Sequence, residues 1–139
     1  MKNWFFSLNG AVTLSVLTLL SYIWRGFLDA MFVFPVDFGD EATMQMAAIT
    51  FTLIFAGWAW ALFAAWRGSR RGLVAAFVIN LLILLAVPVS WPFFYCTAEC
   101  RAEAGIFNFA NMLNLILGFI TAVLLAVQLW QKPQPIAQA

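Results

Sequence analysis

Trp66-Arg67-Gly68-Ser69-Arg70-Arg71-Gly72 sets three arginines between two long apolar stretches. Read as a loop, it folds the chain into two hydrophobic hairpins, and an excess of Lys and Arg in a short loop marks the cytoplasmic side of a membrane. Arg67, Arg70 and Arg71 are therefore the topology determinants.

Composition points to the same solvent. Of 139 residues 65% are hydrophobic and 9% charged, against roughly 25% charged in globular chains. The net charge of +1 leaves no basic surface for nucleic acid. Histidine is absent, which removes the commonest ligand of haem and zinc and the usual proton shuttle near neutral pH. No cofactor or metal is expected; a pigment, quinone or lipid among the aromatic residues, Trp58 and Trp60 above all, is the weaker alternative.

Outward from the loop, apolar runs of roughly 20 residues, enough to cross about 30 Å of hydrocarbon, cover residues 4–24, 43–66, 73–94 and 106–130. The expectation is one all-α membrane domain over residues 1–139, a bundle of four transmembrane helices in two in-out-in hairpins. Pro88 is expected to kink the third span by removing a backbone donor. The mixed stretch between the first two spans, residues 25–41, reads as a short interfacial segment, with rings toward acyl chains and carboxylates toward water. Lys2, loop 67–72 and Lys132 in the tail 131–139 put five of the seven basic residues on one side, and all six acids fall on the other. Both termini should then be cytoplasmic, with a bacterial inner membrane the expected location. The outer acidic surface comprises Asp29, Asp37, Asp40 and Glu41.

Helices in lipid gain nothing hydrophobic by associating, so small residues and polar groups indicate which faces meet. Ala47, Thr50, Gly57 and Ala61 form such a stripe on the second span, and Gly118 contributes to packing on the fourth. Asn108, Asn111, Asn114, Gly118 and Thr121 recur on one face of the fourth span, and an amide facing lipid is costly. With Asn80 of the third span, Asn111, Asn114 and Thr121 could line a polar pocket or simply bond between helices. On the first span Thr18 and Ser21 lead toward Arg25, which would stack with Asp29, four residues on, if the helix runs that far; a ligand phosphate is the other partner open to it.

Cys96 and Cys100, the only cysteines, fall in a loop assigned to the oxidising side, so a disulfide is expected. No Asp, Glu, Lys or Arg lies in the middle of any of the four spans, and no general base accompanies the hydroxyls, so neither ion-coupled antiport nor nucleophilic catalysis has visible apparatus. The sequence thus favours a non-enzymatic membrane protein among lipids, most simply an accessory or scaffolding subunit bound to other membrane subunits. The alternative is a small homo-oligomeric transporter or channel for a neutral or lipid-like solute. An outer-face redox or hydrolytic enzyme comes third.

Overall fold

The computed structural model describes residues 7–28, 41–86 and 100–131, with side chains throughout except at 100–104, 106 and 107. These residues form four helices and no strand: α1 (Leu8–Leu28), α2 (Glu41–Trp66), α3 (Arg70–Ala86) and α4 (Cys100–Trp130). Three stretches, Leu8–Leu28, Glu41–Trp66 and Asn108–Trp130, are long and apolar enough to cross a membrane. The described part of α3 is shorter, at 17 residues. The expected continuation to residue 94, the kink at Pro88, the interfacial residues 29–40 and Cys96 lie outside the described residues. α1 runs one turn past the expected end at Trp24, and α4 begins at Cys100, earlier than expected.

Ser7 starts α1 by accepting the Gly10 N–H on its Oγ at 3.1 Å, while its carbonyl takes the Ala11 N–H at 3.0 Å. A side-chain oxygen there satisfies a donor that no helical carbonyl can reach. At the α2–α3 junction both kinds of cap meet. Ser69 N–H donates to the Ala64 carbonyl and Gly68 N–H to the Ala65 carbonyl, each at 2.9 Å, a closure that requires a left-handed residue. Gly68 supplies it with φ 84°. Ser69 then caps α3, its Oγ accepting from Gly72 N–H at 3.2 Å.

This tight reversal brings α2 and α3 together backbone to backbone. A Cβ on Gly72 would lie 2.7 Å from Ala65 N and 2.9 Å from the Ala61 carbonyl oxygen. Helices adjacent in the chain pack antiparallel: Tyr22 meets Trp58 and Gly26 meets Phe55 across α1–α2, and Asn80 and Arg70 reach Gly118 and Leu129 across α3–α4. The strongest contacts, α1–α2, α2–α3, α3–α4 and α4–α1, close a ring. The start of α1, the arginine turn and the end of α4 consequently share one end of the bundle.

Around an apolar core that includes Leu62, Leu124 and Leu125, the outer surface shows an inversion relative to a protein in water. Phe27, Met46, Leu53, Trp60, Leu85 and Phe119 are exposed on the outside, whereas Ser15, Thr18, Arg25, Asn80, Asn111, Asn114 and Thr121 are buried. Exposed apolar surface this extensive is unusual for a soluble monomer, and the inversion is consistent with a membrane protein.

The α2 stripe needs correcting. Ala61 is buried, but Thr50 is exposed and a Cβ on Gly57 would meet nothing within 4 Å. Ala47 is half-buried. Thr50 needs no partner helix because its hydroxyl donates to the Met46 carbonyl at 2.8 Å, the local bond by which threonine is accommodated in apolar helices. The close approach falls instead at Ala61, Ala65 and Gly72. Gly72→Leu is expected to push α2 and α3 apart and cost about 3 kcal/mol or more, read as a lower melting temperature in detergent. Gly57→Leu is expected to be neutral or to stabilise by up to about 1 kcal/mol, the gain in helix propensity.

Candidate functional site

α1 carries Ser15, Thr18, Ser21, Tyr22 and Arg25 on one buried stripe, at spacings of three and four that stack side chains on a helix face. α4 presents Asn111, Asn114, Gly118 and Thr121 in the same way, all buried. Because α1 and α4 are antiparallel, the two stripes meet in register and form a polar seam. At one level the Thr18 and Thr121 hydroxyls lie 2.7 Å apart. Thr18 also reaches the Leu14 carbonyl at 2.9 Å, and Ser15 donates to the Ala11 carbonyl at 2.7 Å.

One turn along, the Tyr22 hydroxyl donates to the Asn114 backbone carbonyl at 3.4 Å. Gly118 makes room for it, since a Cβ there would stand 2.6 Å from Tyr22 Oη and 3.0 Å from Leu84 Cδ1. α3 joins here, with Asn80 Nδ2 donating to the Gly118 carbonyl at 3.0 Å. α2 contributes Trp58, fully buried, its ring 5.7 Å from that of Tyr22 between centroids. At the next level Arg25, only 5% exposed, donates from Nε to Asn111 Oδ1 at 2.8 Å, and Asn111 is one of its partners.

Several buried atoms of this cluster have no hydrogen-bond partner among the described residues: Asn80 Oδ1, Asn111 Nδ2, both amide atoms of Asn114, and Trp58 Nε1. Asn108 Oδ1, further along α4, shares that condition. An unsatisfied buried polar atom typically costs about 1–3 kcal/mol, so a concentration of them in one region calls for a function or a ligand to account for it.

Of the residues singled out in sequence, Asn80, Asn111, Asn114 and Thr121 are thus all buried at this seam, each beside a different partner. Arg25 requires correction. Set among the interfacial residues in sequence, it lies inside the bundle because α1 extends one turn further and carries it on the Thr18–Ser21–Tyr22 stripe. Tyr22 and Ser15 escaped notice, although their spacing from Thr18, four and three residues, was the available signal. Of the three α2 tryptophans Trp58 alone enters the core; Trp60 is 70% exposed and Trp66 58%. Among the outer acids Glu41 alone is described, exposed at the start of α2 and accepting from Gln45 Nε2 at 3.2 Å. Arg67, Arg70 and Arg71 are exposed at the shared end, where Arg67 lies over the Phe63 ring at 5.7 Å and Arg70 Nη2 reaches the Leu129 carbonyl at 3.5 Å. The side chains of Cys96 and Cys100, and the expected bridge, lie outside what is described.

No protein-family model matches the chain, and comparisons with curated proteins and with solved structures return no match.

Two measurements probe the seam. Asn111→Leu is expected to destabilise by about 1.5–3 kcal/mol, the usual worth of a bond to a charged group. Adding Arg25→Met should recover part of that loss, because the two side chains act as a unit. Gly118→Ala is expected to cost about 1–3 kcal/mol by overpacking, and Tyr22→Phe, which deletes the hydroxyl standing in the way, should relieve it. Chemical or thermal unfolding in detergent reads both.

Proposed function

We propose that this chain is a four-span inner-membrane protein that takes a small solute into its polar seam, as a compact transporter or channel rather than an enzyme. α3 belongs to the fourth crossing. The end bearing Ser7, the arginine turn and Gln131 faces the cytoplasm, as three exposed arginines there favour. On that topology Cys96 and Cys100 face an oxidising compartment, which favours a disulfide between them.

One observation carries the solute reading: fully buried amide and indole groups with unmet hydrogen-bonding capacity gather where α1, α2, α3 and α4 converge on Tyr22 and Gly118. Groups needed only to hold helices together would be expected to satisfy one another, as Thr18 and Thr121 do. Polar residues inside membrane bundles commonly mark solute paths.

A second reading, an accessory subunit of a larger membrane complex, is favoured by α2. That helix buries only Trp58, Ala61, Leu62 and Ala65 in the bundle, so most of its surface is available to lipid or to another protein. Native mass spectrometry of the protein extracted from its own membrane at natural abundance separates the two. The solute reading predicts the chain alone or in copies of itself; a reproducible heteromeric mass would contradict it and favour the accessory role.

A further inference from the structure

The chemistry of the unmet groups restricts what the seam can hold. Asn114 offers a carbonyl oxygen and an amide nitrogen, Asn111 an amide nitrogen, Trp58 an indole N–H and Asn80 a carbonyl oxygen, all without a partner among the described residues. Each of these side chains is fully buried. They belong to one neighbourhood. Asn80 is bonded to the Gly118 backbone carbonyl, Tyr22 packs on Gly118 and reaches the backbone carbonyl of Asn114, and Trp58 packs on Tyr22. Asn111 lies three residues from Asn114 on the same helix face.

Donors and acceptors are mixed in this set, and every member is neutral. An asparagine amide can exchange its oxygen and nitrogen by rotation, yet the mixture survives any such exchange. A desolvated ion is costly to bury without pairing; a cation would meet the guanidinium of Arg25, whose charge stays in the seam when it donates to Asn111 one turn away, and an anion would draw on that guanidinium rather than on these neutral groups. A purely apolar molecule would leave every one of these groups unsatisfied.

We infer that Asn80, Asn111, Asn114 and Trp58 form a seat for a small neutral solute carrying both hydrogen-bond donors and acceptors, of the urea or glycerol kind. The inference rests on the solute reading and specifies its substrate class. Asn114 is the specificity-determining residue, the one side chain with both kinds of group unmet.

The test is permeability of vesicles containing the purified full chain, measured in parallel for urea, glycerol, water, potassium and chloride. Urea or glycerol is expected to cross several-fold faster than in protein-free vesicles. That excess should disappear in Asn114→Leu and persist in Asn114→Gln, with each variant checked for helix content and monodispersity. Enhanced potassium or chloride flux without urea or glycerol flux would overturn the substrate class and leave the solute reading standing. Enhanced water flux alone would overturn the seat, the amides then holding water only. No enhancement for any of the five, with the protein folded, would overturn the seat and the solute reading together. Unchanged urea and glycerol flux in Asn114→Leu would overturn the assignment to these residues. Should Asn114→Leu not fold, the selectivity of the unaltered chain decides the substrate class.

Discussion

Hydroxyls and amides inside an apolar bundle have no water to fall back on, and the antiparallel seam between α1 and α4 is where this protein meets that constraint. Thr18 against Thr121 and Arg25 against Asn111 fix the same register from two levels. Sliding one helix by a turn would separate both pairs. Interhelical bonds between neutral groups in membranes are each worth only about 0.6 kcal/mol on average, and the charge-assisted Arg25–Asn111 bond more, but no single one holds the helices together. Their shared effect is specificity: one register satisfies the seam, whereas apolar packing alone would tolerate several.

The other half of the bundle follows a different rule. Between α2 and α3 there is little polar chemistry to set the register. The short turn fixes it instead, through Gly68 in its left-handed conformation, Ser69 as cap and Gly72 pressed against the backbone of Ala61 and Ala65. Trp58 ties this hairpin to the seam by packing on Tyr22. A covalently short, tightly packed hairpin thus braces a polar pair of helices, and the unsatisfied amides lie where the two meet.

Much of this was legible in sequence because lipid imposes simple periodicities. Uninterrupted apolar runs announced the helices, the arginine loop announced the α2–α3 reversal, and amides recurring every three or four residues announced the inward face of α4. Arg25 was misplaced because a charge at the end of an apolar run is read as a boundary; whether the helix continues beyond it depends on finding a buried partner on another helix. Gly57 misled for a related reason. Small residues permit close approach but do not compel it, and which glycine meets a backbone is decided by the turn, which chose Gly72. Thr50 shows that a hydroxyl is a weak marker of an interface, since it can be satisfied by its own helix.

The pairing of α1 with α4 is the claim on which the site depends, and a cysteine cross-link tests it most directly. With Cys96 and Cys100 replaced by serine, Thr18→Cys and Thr121→Cys should join rapidly under a membrane-permeant oxidant in isolated membranes, as expected where the two hydroxyls lie 2.7 Å apart. Leu17→Cys with Phe119→Cys, both on the exposed outer surface, should not join within one chain. Failure of the first pair to cross-link, or equal cross-linking of the second within one chain, would contradict the seam and the solute site built on it.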